Sequence, residues 1–422
     1  MVEYNPLLGI FLFIFVVATV TRWVLNRLNI GHLRRHGYEV PEVFRGELDE
    51  ETLSRMTAYT VESSRLSSVE SLVGDAVLLA VLLSGVLPWF ASSIESLKLH
   101  PVLSGLVFFG TLALGGVLLE VPFSLYGTFG IEKRYGFSTI TPRLWLTDFA
   151  KNLLLSAVLM ALLLGPLLAM IHYFPRAWWF LSWLFFALFQ LLLLWLYPVV
   201  IAPLFNKYEP VKDDALKGRI IDLMEKAGLK VEGVYQVDAS RRSRHSNAFF
   251  TGIGKTKRIV LFDTLLKTHS PDEILSVLAH EVGHWVKKHI LRQLLLVEVV
   301  SFAFFYICYL LLGWPRLYEA FGFEARIPYA GLFLAGVILK AVFFFFTPAG
   351  AARSRSFERE ADGYAYSLMG TARPLVEALK RLAKENLANL HPHPFYAWFY
   401  YSHPPLTERI ATLLTLEGEK GP

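Results

Sequence analysis

Seven long apolar stretches constrain this chain more than any other feature. They cover residues 6–25, 76–92, 101–119, 153–173, 178–201, 294–314 and 328–347. A helix needs about 20 apolar residues to cross a hydrocarbon layer of about 30 Å. Inside that layer each backbone polar group has to be satisfied within the helix itself. The stretches therefore predict seven transmembrane helices and a mainly α membrane protein. Composition agrees: 54% of the 422 residues are hydrophobic and 18% are charged, against about 25% charged in a soluble domain. The first stretch reads as a retained anchor. Only Glu3 precedes it, and Arg22, Arg27, Arg34 and Arg35 follow it, the reverse of a cleaved signal peptide.

Charge gives the expected orientation. With the N-terminus outside, segments 22–70, 124–151, 207–292 and 350–422 lie inside and hold 7, 4, 16 and 9 of the 41 Lys and Arg. Lys98, Arg176, Arg316 and Arg326 fall outside, and Lys340 lies within the last span. Basic residues collect on the cytoplasmic side, so the net charge of +5 requires no nucleic acid as partner. The single cysteine, Cys308, excludes an internal disulfide framework and a Cys-ligated zinc site. Four regions follow: spans one to five over 1–206, a polar insertion over 207–290, spans six and seven over 291–349, and a C-terminal helical segment over 350–422. Asp75, Glu120, Glu298 and Lys340 lie in or at the ends of spans. At that depth an ionisable group has to pair or line water.

The insertion carries the chemistry. Residues 213–228 predict an amphipathic helix with Leu216, Ile220, Leu223, Met224 and Ala227 on one face and Gly228 at its C-cap. Three short strands are expected at 234–237, 248–251 and 258–262. Between the first two lies 240–246, a polar, mobile-looking loop with Arg241, Arg242 and Arg244. Next comes a helix whose start is written out as Ser270, Pro271 and Glu273, an N-cap, a first-turn proline and a capping box. That helix carries His280-Glu281-Val282-Gly283-His284. Histidines at i and i+4 share a helix face and can reach one metal ion, and the intervening glutamate can act on its water.

A catalytic zinc with two histidines needs a third protein ligand and an open position. Glu358 and Asp362 stand one helical turn apart just after the seventh span. Glu358 can ligate while Asp362 holds a ligand histidine in place. The same spacing also fits a solvated, charged helix start. Glu360 is a weaker candidate because it points elsewhere on a helix. His289, His391, His393 and His403 remain as competitors.

The chain resembles the type I CAAX prenyl endopeptidases, integral-membrane zinc metallopeptidases. Besides H-E-x-x-H, the similarity rests on Ser354-Arg355-x-x-Glu358-x-x-Ala361-Asp362, Asn247-Ala-Phe-Phe-x-Gly252 and Tyr401-Ser-His-Pro-Pro-Leu-x-Glu-Arg-Ile410. It also includes Tyr126-x-Thr-Phe-x-Ile-Glu132-x-x-Tyr-Gly-Phe137 and Tyr197-Pro-x-x-Ile-Ala-Pro-Leu-Phe-Asn-Lys207. These blocks span about residues 120 to 412; the first 120 residues match in layout more than in motif. The resemblance implies one catalytic Zn2+ held by His280, His284 and Glu358, with Glu281 as general base and Asp362 as a supporting acid. It also implies that His403 steadies the oxyanion and that Asn247 holds the substrate backbone. The implied fold is a ring of seven helices around a water-filled chamber, with the zinc site at its cytosolic end.

The expected function is removal of the last three residues after a prenylated cysteine. The substrate would lie extended along an edge strand, 248–251 or 258–262. A broader membrane quality-control protease acting on unprenylated substrates is the alternative, and a channel or transporter with structural zinc is a third reading. The intact Glu281 speaks against the third, since structural zinc needs no base. Expected partners are a peptide or protein substrate and the bilayer. The expected location is a bacterial inner membrane or the endoplasmic reticulum membrane. The stretch 417–422 carries no dilysine or KDEL-type signal, which favours the former.

Overall fold

The computed structural model describes residues 5–251 and 258–418; Gly252 and residues 419–422 fall outside them. Seven helices among the described residues are long and apolar enough to cross a membrane. The membrane part runs α1 (Pro6–His36), α2 (Glu50–Leu83), α3 (Val86–Ser96), α4 (Pro101–Leu125), α5 (Pro142–Tyr173) and α6 (Trp178–Leu196). After the peptidase segment come α9 (His289–Leu312) and α10 (Pro328–Phe343), the latter continuing through a short turn into α11 (Thr347–Met369). Starts are set locally. Asn5 caps α1 ahead of Pro6, Thr141 caps α5 ahead of Pro142, and Asp49 caps α2, each side chain accepting an otherwise unpaired N–H.

Each spanning helix packs on the next: α1 on α2, α2 on α4, α4 on α5, α5 on α6, α6 on α9 and α9 on α10. Helix α10 then closes the ring against α1. One end of the ring is plugged by a packed cluster that includes Leu8, Phe11, Leu82, Phe108, Phe321 and Tyr329. The peptidase core lies at the other end. The expected second span needs correction. A continuous helix begins at Glu50 and stops at Leu83. Gly85, at φ 81°, turns the chain back, and residues 86–92 belong to α3. Hydropathy missed the first half of α2 because it is rich in serine, and it missed the turn because the flanking residues are apolar.

The peptidase segment contains α7 (Asp214–Lys226), α8 (Pro271–Val286), α12 (Arg373–Glu385) and α13 (Leu406–Gly418). Its sheet has β1 (Tyr208–Pro210), β2 (Gly233–Val237), β3 (Ala248–Thr251) and β4 (Arg258–Phe262), in the order β1-β2-β4-β3. Strand β1 was not expected; three residues give too short a pattern to read. Strand β4 is paired on both sides, parallel to β2 and antiparallel to β3. It therefore has no free edge for a substrate, whereas β3 is an edge strand among the described residues. The 240–246 loop is held in place rather than loose. Arg242 makes a bidentate pair with Asp148 at 2.7 and 3.0 Å, and His245 stacks on Phe137 at 4.2 Å.

Candidate metal centre

Helix α8 forms as its sequence dictates. Ser270 and Glu273 close a reciprocal capping box, with bonds of 3.3 and 2.6 Å. Ile274, Leu278 and Val282 are buried in the core. That packing turns His280 and His284 toward α11. The two helices touch closely: a Cβ on Gly283 would lie 2.9 Å from the Ala361 Cα. Only a residue without a side chain permits this approach, and it brings Glu358 over the two histidines.

His280 Nε2 and His284 Nε2 are 3.2 Å apart, and Glu358 oxygens lie 3.4 and 3.3 Å from them. A tetrahedral zinc with arms of about 2.0–2.1 Å needs donors about 3.3 Å apart. Glu358 Oε2 is buried with no hydrogen-bond partner among the described residues, an orphan that a cation satisfies. Donor types, spacing and this orphan all fit zinc. His280, His284 and Glu358 form the one such group of three or more among the described residues.

The supporting contacts are specific. Asp362 Oδ1 accepts from His280 Nδ1 at 2.8 Å, which turns the other nitrogen to the metal position. Asp362 is itself gripped by buried Arg409 through two 2.7 Å bonds. Arg409 carries no signal of its own in sequence; it is one letter in the C-terminal block. His403, on the turn before α13, brings Nε2 to 3.3 Å from Glu358 Oε1. The Ser402 hydroxyl lies 3.0 Å from His403 Nδ1; donating there, it leaves the ring proton on Nε2. Burial pushes the Glu281 carboxyl above its ordinary range, against the charges of His280 and His284. Asn247 is exposed at the start of β3, its Oδ1 accepting from the Ala248 N–H at 2.8 Å. Of the other candidates, His289 lies behind His284, its Nδ1 3.0 Å from that of His284, and the rest make contacts of their own. His391 binds the Glu39 carbonyl, His393 caps the helix Pro394–Tyr400, and Glu360 binds His289.

Comparison with known proteins now decides the family. Residues 29–207 match the family model described as CAAX prenyl protease N-terminal, five membrane helices, and residues 210–417 match peptidase family M48. The chain belongs to the CAAX prenyl protease 1 family of M48 membrane peptidases. It is similar to CAAX prenyl protease 1 of Saccharomyces cerevisiae, 34% identical over 411 residues that cover 89% of this chain and 88% of that one. The homolog from Arabidopsis thaliana is 33% identical, covering 89% and 90%. The human homolog is 30% identical, covering 88% and 87%. The crystal structure of S. mikatae Ste24p superposes with a TM-score of 0.91 at 30% identity, covering 97% of this chain and all of that one. As a member of this family the chain is a multi-pass membrane metalloendopeptidase, and a metal and a peptide or protein substrate come with that membership.

Proposed function

We propose that this peptidase holds one catalytic zinc through His280, His284 and Glu358. In this reading it removes the last three residues of a substrate after a prenylated cysteine. The observation that carries the reading is the donor set: His280 Nε2 and His284 Nε2 lie 3.2 Å apart, with Glu358 Oε2 3.4 Å from the first and Glu358 Oε1 3.3 Å from the second, and Glu281 is one residue along from His280. Zinc, when bound, supplies a polarised water and a Lewis acid at the scissile carbonyl. Glu281 takes the proton of that water as its oxygen attacks the carbonyl carbon. The same carboxyl then hands the proton to the leaving amine. His403 Nε2–H donates to the carbonyl oxygen as that atom gathers charge. Asn247 and the free edge of β3 hold the substrate backbone extended.

The ring supports a chamber for the prenyl chain. Helices pack 8–10 Å apart, so seven on a ring put their axes about 10 Å from the centre. A helix with its side chains is only about 5–6 Å in radius, so such a ring leaves a gap along its axis beyond the plugged end, where α4 meets α10. Accordingly, 0% to 22% of the apolar window of each of the first six spans is buried. The distribution of Lys and Arg supports a cytoplasmic active site.

Paired peptides, farnesylated and bare, provide the test by mass spectrometry of their products. The farnesylated peptide should lose a tripeptide in one cut, and Glu281→Gln should slow this about 10²- to 10⁴-fold with zinc content unchanged. Equal cutting of both peptides would favour the quality-control reading. An undiminished rate in Glu281→Gln would sink the mechanism.

A further inference from the structure

The two histidines of the metal site are oriented by different means. His280 leans on a carboxylate, Asp362. His284 leans on another histidine: its Nδ1 lies 3.0 Å from Nδ1 of His289. His289 Nε2 in turn lies 3.2 Å from Glu360 Oε2, and Arg292 donates to that same oxygen at 2.9 Å. His289 is only 3% exposed. Its ring stacks on Phe357 at 4.2 Å with 6° between planes, and Arg292 lies over the other partner of that stack, Phe357, at 4.6 Å.

The chemistry fixes the direction of the chain. A histidine that offers Nε2 to a metal keeps its proton on Nδ1. That proton can only be donated to an unprotonated Nδ1 on His289, whose own proton then sits on Nε2 and goes to the Glu360 carboxylate. The backbone is bent to allow it. Lys288, a non-glycine residue, sits at φ 56° between α8 and α9, a left-handed conformation that side-chain-bearing residues rarely adopt. This turn folds His289 back against His284.

Building on the zinc reading above, we propose that His289 is a positioning residue. It accepts from His284 Nδ1, is held by Glu360 and Phe357, and thereby aims His284 Nε2 at the metal. Phe357, Glu358 and Glu360 are near neighbours on α11, so one helix supplies a metal ligand and both supports of the relay.

Three variants separate this role from packing. His289→Phe keeps the stack and the burial but removes the acceptor. His289→Asn keeps an acceptor oxygen close to the Nδ1 position. Glu360→Ala, at a half-exposed site, loosens the relay without touching the core. The readouts are zinc affinity by chelator competition, the visible spectrum of the Co2+-substituted protein, and kcat and KM at saturating zinc. His289→Phe should bind zinc about 10- to 100-fold more weakly, with an altered cobalt spectrum and a lower kcat at nearly constant KM. His289→Asn should recover most of the affinity, and Glu360→Ala should lose several-fold. Wild-type affinity and spectrum in both His289→Phe and Glu360→Ala would overturn the proposal while leaving the zinc reading intact. A wild-type protein that takes up no zinc would overturn both.

Discussion

Arg409 sets the energetics of the site residue by residue. It is buried, and its charge is compensated by the fork onto Asp362, with Glu358 3.6 Å away and His280 Nδ1 3.2 Å away. Removing it strands a buried carboxylate. Arg409→Met should therefore destabilise the protein by about 3–5 kcal/mol, read by thermal unfolding in detergent, and should also weaken zinc binding through His280. Arg409→Lys should not rescue it, since a point charge cannot make the fork. Metal removal gives a second outcome at this scale. Burial alone would lower the His280 imidazole, but the hydrogen bond to Asp362 and the adjacent Glu358 carboxylate outweigh it and raise it to about 9. In metal-free protein the charged imidazole stabilises the fold fully below about pH 6.5, and this contribution is lost as pH rises toward 9. Zinc competes with that proton, so loaded protein should hold its metal at high pH and release it on acidification. Melting curves of chelator-treated and zinc-loaded protein between pH 6 and 9 should thus slope in opposite directions.

The contact between α8 and α11 sets the geometry at the level of elements. Both carry proposed metal ligands, so their separation sets the size of the proposed site. Gly283→Ala inserts a methyl against the Ala361 backbone, where neither helix has a side chain that can swing away. The expected result is about 1–3 kcal/mol of destabilisation and weaker zinc binding, with Glu281 and all three ligands unchanged. Circular dichroism melts and zinc titration check both. Full zinc affinity in a well-folded variant would show that the helices can part without disturbing the ligands. The glycine is visible in sequence as an x of H-E-x-x-H, but its reason is a neighbour 78 positions later. Strand β4 makes the same point. Its residues read as a strand from their own pattern, while its central place in the sheet depends on β2 and β3 flanking it.

At the scale of the whole molecule the open question is what the ring encloses. Asp75 is paired with Arg22 at 2.7 Å, and Glu298 accepts from Gln190 at 2.9 Å. Glu120 and Lys340 are exposed on their helices. A charge facing lipid is expensive, so these two should face water inside the ring. The sole native thiol, Cys308, is buried and gives a quiet background for labelling. Glu120→Cys and Lys340→Cys in liposomes should react with a membrane-impermeant maleimide, while the unmodified protein should not. Failure of both to react would argue against a water-filled interior.

Local features were legible in the order of the amino acids. Apolar length gave the spans, the capping box gave the start of α8, and 3.6-residue periodicity put His280 and His284 on one face. Each of these depends on neighbours within a few turns of chain. Tertiary structure alone decided the rest: the closure of α10 on α1, Arg409 behind Asp362, and Glu360 behind His289. Those depend on which surfaces meet, and a contact between residues 280 and 409 leaves no periodic mark in either segment. The metal centre shows both parts, with its ligand types written in two short motifs and its spacing set by how closely a glycine lets two helices approach.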